Sequence, residues 1–154
     1  IYKRFNILIM TKIIITGCES QLSQTFRRIF DKKNKYFYFD KNEFDINDYD
    51  QVEDKIKKIN PDYIINTSAI TNLEYCEKNK DKCLNTNSYA PHNLAKLSIK
   101  YNYVLIHISS DYVFDGKKHN YYNETDITNP INIYGYSKEL AEKLLNQYYD
   151  NVII

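Results

Sequence analysis

Lys12-Ile13-Ile14-Ile15-Thr16-Gly17-Cys18-Glu19-Ser20-Gln21-Leu22-Ser23 is the stretch that decides the architecture. Lys12 to Thr16 is a β-branched apolar run, the composition of a buried strand. Gly17 follows as a turn residue, and a helical pattern continues to about Phe30. A strand, a tight turn and a helix in that order bring backbone N–H groups to a helix N-terminus, where a pyrophosphate can bind.

The same alternation repeats outward from this unit. Tyr36 to Phe39 reads as a second strand, ending in Asp40-Lys41. Asp48 is placed to cap a helix over Tyr49 to Ile59, which Asn60-Pro61 terminates. Asp62 to Asn66 reads as strand three, Tyr103 to Ile108 as strand four, and Val152-Ile153-Ile154 begins strand five. A helical pattern from about Leu73 to Lys100 contains Pro91, which predicts a kink or break near Ala90. A final helix runs from about Tyr134 to Tyr149. Strands alternating with helices predict an α/β fold, a doubly wound parallel sheet of order 3-2-1-4-5 with right-handed crossovers.

Composition narrows the function classes. The 154 residues suffice for one domain with a real core. A net charge of +1 implies no nucleic-acid partner, and Lys55, Lys57 and Lys58 read as a solvated helix face. Cys18, Cys76 and Cys83 have neither metal nor disulfide spacing and suit a reducing cytoplasm. No run reaches the roughly 18 apolar residues of a membrane span. Met10-Thr11-Lys12 reads as a natural start, which makes residues 1–9 an N-terminal extension.

A second stretch carries the chemistry. The fourth strand ends in His107-Ile-Ser-Ser110-Asp111-Tyr-Val-Phe-Asp-Gly116. After a loop come Asn129-Pro-Ile-Asn-Ile-Tyr134-Gly-Tyr-Ser-Lys138. Tyr134 and Lys138 lie four apart, on one helix face. That pair suits ketone reduction or alcohol oxidation. A carbonyl receiving a hydride needs a proton, and a phenol can give one if a nearby ammonium lowers its pKa from about 10. A serine hydroxyl beside the same oxygen shares its developing charge. With 16 tyrosines in the chain, chance yields about two Tyr-x-x-x-Lys pairs, so the inference rests on the surrounding residues.

Those surroundings resemble the extended short-chain dehydrogenase/reductases, and within them the dTDP-4-dehydrorhamnose reductase family. That family's pattern is Ser-Thr-Asp-Tyr-Val-Phe-Asp-Gly, then Pro-x-Asn-Val-Tyr-Gly-x-Ser/Thr-Lys. Ser110 stands where the family has Thr and keeps the hydroxyl. The resemblance runs from Met10 to the chain end and implies the front half of an NAD(P)-binding Rossmann domain over residues 10–154. The remaining sheet and the substrate domain are absent, so activity by this chain alone is not expected.

The resemblance implies reduction of the 4-keto group of dTDP-4-dehydro-L-rhamnose by NADPH or NADH. Tyr134 would donate the proton, Lys138 would hold the ribose and lower the tyrosine pKa, and Ser110 would orient the keto oxygen. Asp111 would touch the sugar. Gly17, Ser20, Gln21 and Leu22 match the family's Gly-x-x-Gly-x-Leu/Val-Gly loop, with Ser20 and Ser23 at its second and third glycines. A β-carbon at Ser20 would either crowd the phosphate or sit at positive φ, at about 1–2 kcal/mol. Asp40 would take the ribose 2′-OH, unless it is a plain turn residue. Asp45 and Ile46 would line the adenine, and Ala69, Ile70 and Thr71 would lie under the nicotinamide ribose. A homodimer is compatible with the resemblance at full length. The rival readings are a nucleotide-sugar epimerase or dehydratase, a non-catalytic module like the regulatory subunit of methionine adenosyltransferase, and a truncated reading frame.

Overall fold

The computed structural model describes residues 10–30 and 33–154; the expected extension at residues 1–9 lies outside them. Five parallel strands form one sheet: β1 (Lys12–Thr16), β2 (Lys35–Tyr38), β3 (Tyr63–Asn66), β4 (Val104–His107) and β5 (Val152–Ile153). The helices are α1 (Gln21–Ile29), α2 (Tyr49–Ile59), α3 (Leu73–Lys78), α4 (Lys80–Leu84), α5 (Ala90–Tyr101) and α6 (Ile133–Leu145).

The sheet order is β2-β1-β3-β4-β5, not the expected 3-2-1-4-5. The reason lies in the strands themselves. Ile64, Ile65 and Asn66 of β3 are all buried, whereas β2 begins with exposed Lys35 and continues half-buried. A strand that is covered on both faces belongs inside a parallel sheet. After β2 the chain turns back on itself: the amide of Phe44 donates to the carbonyl of Asp40, and that of Asp48 to the carbonyl of Asp45. Among the described residues no strand lies outside β2, and the crossover through α2 passes over β1 and adds β3 on its far side. The topological switch therefore falls between β1 and β3, where an open α/β sheet has its crevice.

One row across the sheet, Phe37–Ile14–Ile64–Leu105–Val152, is set by the strand register and faces the core. Val52 and Ile56 of α2 and Leu94 and Leu97 of α5 pack against it. Asp48 caps α2 through the Gln51 amide, and Asn60 ends it in the left-handed region.

The pattern from Leu73 to Lys100 divides more than Pro91 alone would require. Asn79, at φ −131° and ψ 55°, separates α3 from α4. A π-helical turn, Asn85–Tyr89, then leads into α5, with Pro91 in its first turn, where a missing N–H costs nothing. The last helix ends at Leu145, and Asn146–Tyr148 continues it as a 3₁₀ turn.

Candidate active site

Gly17 begins the site. It has φ +62°, and a β-carbon there would lie 3.0 Å from the amide nitrogen of Ser68, so the turn needs glycine for both reasons. Ser20 does not: its φ is −64° and ψ 150°, ordinary extended backbone, so the positive-φ expectation is corrected. Its hydroxyl instead caps α1 by accepting from the Ser23 amide at 3.1 Å. The hydroxyls of Ser20 and Ser23 both meet Thr67 Oγ1, at 2.9 and 3.0 Å, and Thr67 donates to the Thr16 carbonyl at 2.7 Å. Three hydroxyls thus tie α1 to the loop after β3. The amides of Gln21 and Leu22, the first two of α1, have no acceptor within the helix.

These residues line a cleft of ≈ 690 Å³ at the β1/β3 switch. Gly17, Ser20, Gln21, Asp40, Asp45, Ile46, Ala69, Ile70 and Thr71 all border it, whereas Leu22 does not. Asp40 also serves its turn, accepting from the Asn42 and Glu43 amides at 2.8 and 3.0 Å. Asn87, fully buried, clamps Ile70 from both sides: Oδ1 accepts from its amide at 2.8 Å, and Nδ2 donates to its carbonyl at 2.9 Å. The same Nδ2 reaches Ser137 Oγ at 3.0 Å, which joins the loop to α6. The π turn places Asn87 and Ser88 side by side in the interior, a recurrent use of π geometry.

A smaller chamber of ≈ 130 Å³ lies across the Thr67–Thr71 loop and shares Ser20, Thr67, Ser68, Ala69 and Thr71 with the cleft. Leu22, Ser109, Tyr134 and Lys138 border it. Asn132 caps α6 through the Gly135 amide at 2.7 Å, which presents Tyr134 and Lys138 on one face. A β-carbon at Gly135 would fall 2.1 Å from the Tyr112 carbonyl oxygen, so glycine lets α6 press against the turn that follows β4. The Tyr112 ring meets Tyr134 edge-on, with centroids 5.5 Å apart. Lys138 is 2 % exposed. Burial brings its amine down to about 8, opposed by the charges of Glu142 and Cys83.

Ser110 and Asp111 are not at this chamber. They border a third cavity, of ≈ 770 Å³, which shares Ser109 with the chamber. The Ser110 hydroxyl accepts from the Tyr112 amide at 3.2 Å, capping the 3₁₀ turn Asp111–Val113. Ser109, whose hydroxyl donates to Glu142, is the serine that touches both spaces. Sequence reading passed over Ser109 and Thr67. The hydroxyl of Thr67 is legible as a polar residue after a strand, but its partners across the cleft are not.

Among the described residues no group of three or more His, Cys, Asp or Glu is placed to hold a metal, and no helix is long and apolar enough to cross a membrane. Cys76 and Cys83 are free, buried thiols in contact at 2.9 Å, and burial and that contact push Cys76 up to about 12.

The family model described as "RmlD substrate binding domain" matches residues 10–154. A dTDP-4-dehydrorhamnose reductase of Aggregatibacter actinomycetemcomitans is 35% identical over 138 residues, 88% of this chain and 47% of that one. The spore coat polysaccharide biosynthesis protein SpsK of Bacillus subtilis is 34% identical over 88% of this chain and 48% of its own. Among solved structures, the dTDP-4-dehydrorhamnose reductase of Bacillus anthracis in complex with NADP superposes with a TM-score of 0.89 at 31% identity, covering 94% of this chain and 52% of that one. The chain spans about half the length of these relatives.

Proposed function

The chain belongs to the RmlD substrate binding domain family, and from that premise we propose that it is the dinucleotide-binding front half of an NAD(P)H-dependent reductase. Its substrate is a nucleotide-linked 4-keto-6-deoxysugar, dTDP-4-dehydro-L-rhamnose. One observation carries the reading: three neighbouring cavities share walls, the cleft beside Asp40 meeting the Tyr134 and Lys138 chamber at Ser20 and the Thr67–Thr71 loop, and that chamber meeting the Ser110 and Asp111 cavity at Ser109.

The residues fit a dinucleotide. The close approach at Gly17 and the two amides at the start of α1 suit a pyrophosphate. Asp40 suits a ribose hydroxyl, and Asp45 and Ile46 form the adenine wall. Ala69, Ile70 and Thr71, held by Asn87, support the nicotinamide ribose. When bound, the cofactor supplies a hydride. Tyr134 donates a proton to the carbonyl oxygen, and Lys138 as ammonium stabilises the phenolate left behind. Ser110 and Asp111 receive the sugar from the third cavity, and Ser109 stands between the two spaces.

The test is NADPH oxidation by a full-length version of the enzyme with dTDP-4-dehydro-L-rhamnose. Turnover that yields dTDP-L-rhamnose is expected. Epimerised or dehydrated sugar without net NADPH consumption would assign the chain to a sibling activity. Dinucleotide binding with no chemistry on any such sugar would make it a binding module.

A further inference from the structure

A line of buried polar side chains runs beneath the cleft. Ser68 Oγ donates to Thr16 Oγ1 at 2.9 Å, and Thr16 Oγ1 donates to Asn66 Oδ1 at 2.7 Å. Asn66 Nδ2 lies 3.1 Å from His107 Nδ1, and His107 Nε2 lies 3.0 Å from Lys138 Nζ. Lys138 also donates to the Ile108 carbonyl at 2.6 Å. Thr16, Asn66 and His107 are no more than 1 % exposed, and the reaction described above uses none of them.

One backbone group gives the line its direction. The Ser68 amide, which can only donate, lies 3.2 Å from Asn66 Oδ1. That turns the amide oxygen of Asn66 towards Ser68 and its NH₂ towards His107. Nδ1 of His107 therefore accepts, and the proton of the neutral ring sits on Nε2. This N–H points at Lys138 Nζ, and only a neutral amine has a lone pair to receive it. An ammonium at Lys138 needs the opposite tautomer, and hence Asn66 turned over with its oxygen on His107. The turned NH₂ then opposes the Ser68 N–H, donor against donor, so that amide must find another acceptor.

We propose that His107 and Asn66 are positioning residues that couple occupation of the dinucleotide cleft to the protonation of Lys138. A dinucleotide that draws the Ser68 amide to itself releases Asn66. The amide of Asn66 turns over, His107 changes tautomer, and Lys138 takes a proton from solvent. The ammonium that the phenolate needs is thus favoured when the cofactor is in place. No proton passes along the line, because an amide NH₂ is a poor relay; what passes is orientation. This inference rests on the dinucleotide site proposed above.

The surroundings of Lys138 suit two charge states. Burial favours the amine, while Glu142 on α6 and Cys83 on α4 favour the ammonium. Burial first and Lys138 second push His107 well below its usual range, which keeps the ring neutral. From the other elements against α6, Asp111 accepts from Ser110, Glu77 holds the Ile133 amide, and Cys76 contacts Cys83. Tyr134 shares the face of Lys138.

The experiment is titration calorimetry of NADPH into the full-length protein, in buffers of different ionisation enthalpy. With Lys138 near 8, binding at pH 8 is expected to take up about half a proton, falling towards none at pH 6. Asn66→Asp is isosteric, and its carboxylate accepts from Ser68, Thr16 and a His107 Nδ1–H alike. It is expected to abolish the uptake while retaining binding. Nitrogen-15 NMR of the His107 ring well above the Lys138 value of about 8, where the amine is neutral, gives an independent readout without cofactor: Nε2–H in the wild type, Nδ1–H in Asn66→Asp. Binding without proton uptake, or an Nδ1–H ring in the wild type, overturns the coupling and leaves the dinucleotide site standing. Failure to bind NADPH at any pH overturns the site, and the coupling with it.

Discussion

The two helix starts that face the cleft are capped alike and built for opposite tasks. Ser20 accepts from the Ser23 amide at the start of α1, and Asn132 accepts from the Gly135 amide at the start of α6. Beyond the cap they diverge. The α1 end exposes backbone donors beside a glycine turn and meets its neighbour through hydroxyls. The α6 end buries an amine, Lys138, and meets its neighbour backbone through a glycine, Gly135. The difference teaches where glycine is replaceable. Serine serves at position 20 because the backbone there is extended. A side chain at Gly135 meets a carbonyl oxygen whatever its φ.

The largest expected effect tests the chemical task of the α6 end. In a full-length enzyme, Tyr134→Phe removes the proton donor and should lower kcat by about 10²–10⁴-fold. The Kd for NADPH, measured in parallel, should hardly move, because the phenyl ring keeps its edge contact with Tyr112. Near-normal turnover would remove the functional contrast between the two ends.

Gly135→Ala should come next, costing about 3 kcal/mol or more in denaturant unfolding, the upper range for overpacking against backbone. The added carbon has no flexible side chain to displace. A stable variant would show that α6 can lift away from Tyr112 without loss.

The buried Lys138 amine gives a pH signature that the α1 end lacks. The folded pKa of Lys138 is lowered from 10.5 to about 8. Between those values the unfolded chain binds the extra proton, so stability should rise with pH through that window. The rise is up to about 3 kcal/mol, since a pKa unit is worth about 1.4. Thermal unfolding at pH 7 to 10 should show the climb as a wild-type minus Lys138→Met difference that grows with pH, the fall above pH 9 that Cys76 contributes being common to both.

At the other end, Gly17→Ala should cost about 1–2 kcal/mol from positive φ alone. Its contact with Ser68 should weaken NADPH binding as well. Ser20→Gly should have the smallest effect. It loses a cap for a few tenths of a kcal/mol and frees the Ser23 amide. Cofactor binding should tighten about fivefold, roughly 1 kcal/mol. Weaker binding would show that the Ser20 hydroxyl contacts phosphate, and the α1 end would then use side chains as the α6 end does.

Some of this was legible from residue order alone. A β-branched run followed by Gly17 and a helix specifies β1, its turn and α1, because each is a local preference. The spacing of Tyr134 and Lys138 puts them on one face through the helical period, and Asp48 and Asn60 mark the ends of α2 by their own side-chain and backbone tendencies. The tertiary structure decided what depends on partners distant in sequence. Strand order followed from which strand could be covered on both faces, a property of the whole sheet. Ser20 proved to be a cap whose neighbour, Thr67, lies 47 residues away. Ser110 and Ser109 are adjacent in sequence, yet after the bend that follows β4 only Ser109 also borders the chamber beside Tyr134 and Lys138. Lys138 meets His107, 31 residues earlier. Local periodicity determines where a side chain sits on its own element; only packing determines what it meets, and donors and acceptors acquire a direction only once they have met.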